Sequence, residues 1–328
     1  MATGIVSNAL FLEDYRRLSA ALFRLNAAAY PWLAILLILR ALRFPGAVWS
    51  DLVDTRRVFS FFSLIAANGV FGGGLCLRGV HVEALELWLL SLPVWAVLIY
   101  FSFGLFIFRN SARLANVIEG GWLFAIVATE SLAILGALIA PQTGSFCRAV
   151  FVLVHLLWGL GAGLYGIYVT LLSYRLFYIE VSPNDLTPVL WVVMGAAAIS
   201  TNAGSNLLLT NSPFASLAAL RPFIEGVTLV LWAWASFWIP LLVLFGIWKH
   251  AVRRLPLSYS PMLWGIVFPL GMFSVASLRL SLAEDYPPLH ALSAAAMWVS
   301  FAAWIGTFLG LANATRRDFW KFMRGRAR

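Results

Sequence analysis

Charge is scarce in this sequence. Of 328 residues only 11% are Asp, Glu, Lys or Arg, against 62% hydrophobic, and the mean hydropathy is +0.87. Globular chains average roughly 45–50% apolar residues, so a soluble fold of this length has too little polar surface to enclose what is here. Cysteine is nearly absent: Cys76 and Cys147 are too few for a disulfide framework or a metal cluster, and both read as small membrane-embedded or loop residues. The four histidines, His81, His155, His250 and His290, are scattered, and only His155 falls well inside an apolar run. There is no HExxH, no CxxC pair and no P-loop, so nothing points to ATP use or metal-assisted hydrolysis. A membrane enzyme needs two or more intramembrane carboxylates or histidines at helical spacing, and here one carboxylate, Glu130, lies near mid-span. The reading is not an enzyme, with no catalytic residue, metal site or cofactor.

What the sequence has in quantity is apolar runs of about 20 residues, the length that crosses a bilayer as a helix. They predict an all-α polytopic membrane protein with ten transmembrane helices, near 1–12, 20–42, 58–77, 86–108, 118–140, 148–173, 188–210, 223–248, 260–280 and 289–312. Short connections pair them as five antiparallel hairpins. Residues 1–312 form the transmembrane domain and 313–328 a basic cytoplasmic tail. The first span is short: either its helix begins at the membrane surface or sequence is missing upstream of Met1. No charged n-region precedes it, so no cleavable signal peptide is expected.

The formal charge of +9 would suit nucleic acid, but the basic residues lie in loops between spans. With ten spans both termini share a side, and Arg40, Arg43, Arg56, Arg57, Arg109, Arg113, Arg175, Lys249, Arg253, Arg254 and the tail put most of the 23 Lys and Arg there. That side is therefore cytoplasmic. The tail, RRDFWKFMRGRAR, mixes cations with Phe319, Trp320, Phe322 and Met323, and reads as lying along the anionic inner leaflet, with a regulatory partner site as the alternative. Membrane lipids, not nucleic acid, are the expected partners of these charges.

The spans fall into two chemical classes. Odd-numbered ones carry small and polar residues at their centres, such as Asn68, Thr129, Glu130 and the run WVVMGAAAISTNAGSN, whereas even-numbered ones are larger and greasier, as in LVLWAWASFWIPLLVLF. In the seventh span Gly195, Ala198, Asn202 and Ser205 share one helical face. A polar stripe at membrane depth must face protein or water, which leaves two readings: tight helix packing, or an inner ring around a central space. Glu130 is likewise a proton-binding site, a polar element of a pore wall, or a side chain bonded to a neighbouring helix. In the ninth span Pro269 cannot donate to the carbonyl of Gly265, so the helix can bend there. Phe268 shares a face with Gly265, Gly271 and Met272, an arrangement that suits either a plug in a narrow passage or ordinary core packing.

Six ordered blocks carry a family resemblance: MATGIVSNA (1–9), DTRRVFSFFSLIAANGV (54–70), GGWLFAIVATESLAILGA (120–137), WVVMGAAAISTNAG (191–204), TLVLWAWASFWIPLLVLFGIWKH (228–250) and YSPMLWGIVFPLGMFSVAS (259–277). Together they resemble the tellurite-resistance/dicarboxylate transporter (TDT) family, which includes the slow anion channels of plant guard cells. The resemblance implies odd helices lining a central pore, even helices outside them, and a homotrimer with one pore per protomer, here in a bacterial inner membrane. It also implies a phenylalanine obstructing the pore from the ninth helix, which the FP pair places at Phe268, with Gly265, Pro269 and Gly271 as its hinge. Asn68, Thr129, Glu130, Asn202 and Ser205 are the expected pore-lining polar residues. The function so implied is an anion channel or facilitative exporter for small inorganic or organic anions of the tellurite, sulfite, halide or dicarboxylate class, through a pore of little fixed charge. The alternative is a proton-coupled C4-dicarboxylate carrier using Glu130, and a more remote one a non-transporting scaffold. An ionised Glu130 would repel an anion, so it is protonated, turned away from the lumen, or part of proton coupling.

Overall fold

The computed structural model describes residues 1–109, 120–183, 185–210 and 212–325, and holds no strand among them. Ten principal helices follow one another: α1 Ala2–Leu12, α2 Arg16–Arg43, α3 Phe62–Cys76, α4 Val82–Arg109, α5 Leu123–Ile139, α6 Cys147–Tyr178, α7 Val192–Thr210, α8 Arg221–Ile247, α9 Trp264–Ala283 and α10 Pro288–Gly325. Two short helices, Pro45–Leu52 and Ala215–Ala218, lie in the connections. Nine helices among the described residues are long and apolar enough to cross a membrane. The tenth, α1, has 11 residues and so spans about 16 Å, roughly half a hydrocarbon core. The expected basic tail is no separate segment up to Gly325: with no Gly or Pro between Gly310 and Gly325, nothing stops α10, and it runs on as one helix. Of the basic residues used to orient the chain, Arg113, Arg326 and Arg328 lie outside the described residues.

Burial separates the helices by parity. Of the spans built around α3, α5, α7 and α9, 61%, 83%, 94% and 78% is buried within the protein, whereas those of α2, α4, α6, α8 and α10 reach 11%, 17%, 39%, 28% and 22%. The odd helices form a closed inner ring in which α1 packs on α3, α3 on α5, α5 on α7, α7 on α9 and α9 back on α1. Each even helix lies outside, against the odd helix before it and the odd helix after it. Its outer face carries bare apolar side chains, such as Trp32, Leu33, Leu90, Val97, Ile167 and Leu309. A surface this apolar suits hydrocarbon rather than water.

Why the odd helices sit inside follows from their small residues. Lipid offers no hydrophobic drive for one helix to seek another, so association rests on close van der Waals packing and interhelical hydrogen bonds. A β-carbon on Gly69 would lie 2.6 Å from Ser131 Cβ, and one on Gly72 as near to Leu135, so α3 and α5 meet at two glycines. In the same way Gly4 meets Val70, Gly195 meets Pro269, and Gly271 meets Ile5, each at 2.9 Å. Inner helices also meet outer ones at glycine: Gly136 against Val154, and Gly204 against Thr228 and Trp158.

Aromatic donors then fasten the outer helices to the ring, in a pattern that recurs five times. Tyr30 of α2 donates to Asn68 Oδ1 of α3 (2.6 Å), and Trp95 of α4 to Thr129 of α5 (2.8 Å). Trp158 of α6 donates to the Ser200 carbonyl of α7, Trp232 of α8 to Ser277 of α9 (3.0 Å), and Trp304 of α10 to Thr3 of α1 (3.0 Å). Each even helix thus bonds the next odd one, α10 returning to α1. Within the first and last hairpins, serine pairs exchange hydroxyl-to-carbonyl bonds: Ser7 with Ser19 at 2.8 Å each way, and Ser274 with Ser293 at 3.0 and 2.9 Å. At the N-terminal ends of the odd helices the chain tightens into 3₁₀ turns, Val58–Phe61, Gly120–Trp122, Pro188–Trp191 and Pro261–Leu263. There Trp122 stacks on Phe59 at 5.6 Å and meets Phe106 edge-on at 4.3 Å.

The contact of α7 with α8 has no room for a side chain at Gly204. Gly204→Ala is expected to cost about 1–3 kcal/mol through overpacking against Thr228. It should appear as a lower melting temperature of the detergent-purified protein. Gly163→Ala, where a β-carbon meets open space, is the control and should melt no lower than the parent.

Candidate functional site

The ring encloses a cavity of about 40 Å³ walled by all five odd helices. Each contributes a stripe at three- or four-residue steps: Ile5, Asn8 and Leu12; Gly69 or Val70, Gly73 and Leu77; Ser131, Ile134 and Leu138; Ile199, Asn202 and Asn206; Met272, Val275 and Arg279. That spacing is one face of one helix, so five faces converge on one space. The stripes end, in the C-terminal direction, at the half-buried Leu12, Leu77, Leu138 and Arg279, while Ile199, Ser131, Asn202 and Met272 at the other end are buried. The cavity is therefore shut toward the middle of the protein and widens toward the face where the odd helices finish.

Hydrogen bonding fixes its polar groups. Asn206 Nδ2 donates to the Asn202 carbonyl (2.7 Å) and to Asn202 Oδ1 (2.8 Å). This holds the Asn202 amide with its NH₂ side toward Met272, whose sulfur is 3.7 Å away. Asn8 Nδ2 donates to the Val70 carbonyl at 3.1 Å. Ser131 Oγ is buried with no partner among the described residues. Arg279 is the one charged side chain in the wall, and among the described residues it has neither an ion pair nor a hydrogen bond. No carboxylate belongs to the wall, and no group of three or more His, Cys, Asp or Glu able to hold a metal exists among the described residues.

The residues singled out in the sequence take up different places. Asn202 lines the cavity. Asn68 does not: its amide accepts from Tyr30 and donates to Ser91 Oγ at 2.7 Å, both on outer helices. Thr129 likewise faces outward, accepting from Trp95 and donating to the Ala125 carbonyl. Ser205 is buried, with its hydroxyl unpartnered among the described residues and off the cavity wall. Glu130 is fully buried, also off the wall, and its carboxyl lies against Gly161 of α6, which has no side chain to displace it. The polar side chains of α3 and α5 expected in the lining are thus largely occupied by the outer helices, because the aromatic donors that claim them sit there.

Phe268 is buried, 3% exposed, and stands on the same α9 face as Met272, Val275 and Arg279, one turn before the first of them. The Pro269 ring packs on Gly195 of α7, Gly265 lies beside the Pro188 carbonyl (3.4 Å from its notional β-carbon), and Gly271 meets Ile5 and Val6 of α1. Both glycines are thus close-approach points as well as neighbours of the proline. Asn8, Ser131, Asn206 and Arg279 were not anticipated as wall residues. The signal for Arg279 is Phe268 carried along its own face by four, seven and eleven residues.

On the face where the odd helices begin, Asp51 accepts hydrogen bonds from Arg57 (2.7 Å) and Arg40, which hold its carboxyl below the usual carboxylate range. These pairs lie far from the cavity in sequence and join the connection after α2 to the turn before α3.

Comparison with known proteins places this geometry. The profile described as voltage-dependent anion channel matches residues 1–312. An uncharacterized membrane protein of Mycobacterium tuberculosis is 39% identical over 140 residues, 42% of this chain and 70% of the relative, in each of two strains. An uncharacterized transporter of Methanocaldococcus jannaschii is 22% identical over 321 residues, 95% of this chain and 92% of the relative.

Because the Glu130 carboxyl lies between helices and not in the cavity, Glu130→Gln is expected to leave anion flux in proteoliposomes within about twofold of the parent, with or without a pH gradient. Loss of flux, or loss of a pH dependence that the parent shows, would place the carboxyl in the transport cycle.

Proposed function

The chain belongs to the voltage-dependent anion channel family, and we propose that it is a channel or facilitative exporter that passes small anions through the space inside the odd-helix ring. One observation carries the reading. Phe268 stands directly below the cavity on the stripe that lines it, and at the corresponding turn of the neighbouring helices stand Ile65 and Ala66, Val127 and Ala128, and Gly195 and Ala196, all buried. On these four helices the level offers no polar side chain to replace water around an ion. A dry apolar constriction blocks ions by dewetting, and its largest member is a single aromatic ring.

Pro269 and its glycines supply the means to move that ring. The proline leaves the Gly265 carbonyl without its helical donor, and Gly195 gives the pyrrolidine ring a smooth surface to slide on. A small change in the bend of α9 therefore swings Phe268 while the glycine contacts on either side keep the ring of helices closed. With both termini cytoplasmic, the cavity faces the outside of a bacterial plasma membrane and the collar closes it from within. A homotrimer with one pathway per protomer is consistent with the extensive apolar outer faces of the even helices. Tellurite, sulfite, halides, nitrate and dicarboxylates belong to the range of anions to be tried.

The test is chloride and nitrate flux in proteoliposomes, comparing the parent with Phe268→Ala. The alanine variant is expected to conduct at least about tenfold faster, the equivalent of ~1.4 kcal/mol off the barrier, with unchanged elution as an intact protein. Equal and negligible flux from both would make Phe268 a packing residue and set the channel reading aside.

A further inference from the structure

We propose that the cavity is a binding site for one small monovalent anion, with Arg279 drawing the anion in and Ser131 and Asn202 receiving it. The inference rests on the anion-pathway reading above and adds the place and class of ligand to it. Three independent features of the cavity meet here.

The first is charge. Arg279 is the one charged group in the wall, half-buried at the wide end, with no partner among the described residues. A guanidinium without a counter-charge at a low-dielectric wall attracts an anion more strongly than it would in open water. It also keeps its planar fork of donors free.

The second is unspent hydrogen-bonding capacity at the narrow end. Ser131 is 2% exposed and its hydroxyl has no partner among the described residues. A buried hydroxyl left unpaired is unfavourable, a cost that a ligand accepting its proton removes. Asn202, 4% exposed, has its Oδ1 taken by Asn206, which leaves its NH₂ as donor with only the weak acceptor Met272 sulfur nearby. Neither group is committed to a stronger partner, and the wall holds no carboxylate to compete for an anion.

The third is size. A water needs about 10–15 Å³ of such space, so about 40 Å³ admits some three waters, or one halide- or nitrate-sized anion that has shed part of its hydration. A dicarboxylate brings two negative charges to one cation. The few polar groups of the wall thus give a small anion a resting place directly before the apolar collar at Phe268, where dehydration must be completed.

The test uses the full-length protein in planar bilayers, in the Phe268→Ala background so that the collar is not limiting, with chloride and then nitrate as the permeating ions. Arg279→Gln is expected to lower conductance about threefold to tenfold at low salt and to converge with the Phe268→Ala parent near 1 M, because screening removes the advantage of a fixed charge. Arg279→Lys should restore most of the loss. Ser131→Ala, which keeps the β-carbon that packs on Gly69, should raise the concentration at which conductance saturates while leaving its salt convergence intact. A reduction by Arg279→Gln that is the same at every salt concentration marks a structural role and overturns the site. So does a Phe268→Ala protein that conducts with no change on replacing Arg279 or Ser131, although the pathway reading then stands. If Phe268→Ala itself carries no anion current, the pathway reading falls and the site with it.

Discussion

Close approach of the odd helices at glycine is the constraint on which the rest of this structure depends. In a bilayer, helices gain nothing from hiding apolar surface, so a ring of five can close only where backbones come near enough for dispersion and hydrogen bonds to act. Gly4, Gly69, Gly72, Gly195 and Gly271 provide that nearness at four of the five junctions of the ring. A ring closed so tightly leaves a narrow space, which under the proposed function one aromatic side chain is enough to seal. It also leaves the small helices unable to cover themselves, which assigns the bulky even helices to the outside, held there by tyrosine and tryptophan donors.

Inside the ring the cavity and the level of Phe268 differ in chemistry. The level of Phe268 is apolar on α3, α5, α7 and α9, whereas the cavity beyond carries amides, a serine hydroxyl and a guanidinium. In the proposed pathway an ion moving between them exchanges a site that replaces some of its hydration for one that replaces none, which concentrates the barrier at one level. Glu130, the one carboxylate near mid-span, is off the cavity wall, with its carboxyl against Gly161 of α6.

Much of the fold is legible in the sequence, for a physical reason. A bilayer demands about 20 apolar residues per crossing, so the runs announce the helices, and the small residues of the odd spans announce which helices pack inside. The sequence also draws the eye to Phe268, a bulky ring beside a proline and among glycines, and the structure buries it on the face that lines the cavity one turn later. What is not legible is the direction in which a polar side chain turns. Asn68 and Thr129 sit on inner helices, yet Tyr30, Ser91 and Trp95 claim them for the outer ones, and those partners are 23 to 38 residues away in the chain. Arg279 is obscured differently: it lies at the edge of the ninth apolar run, where a cation reads as a boundary charge. Only the helical face it shares with Phe268 reveals that it belongs to the cavity.

The central claim, that one continuous lumen runs through the ring and is interrupted at Phe268, is tested most directly by thiol accessibility from the two sides of the membrane. Val275→Cys lies beyond the collar and Trp264→Cys before it on the same face of α9, each made with Cys76 and Cys147 replaced by serine, and Leu309→Cys on the lipid-facing side of α10 serves as the control. The account predicts that a membrane-impermeant thiol reagent modifies Val275→Cys only from the face where the odd helices end, Trp264→Cys only from the opposite face, and Leu309→Cys from neither. Modification of Val275→Cys from both faces, or from neither, would contradict it.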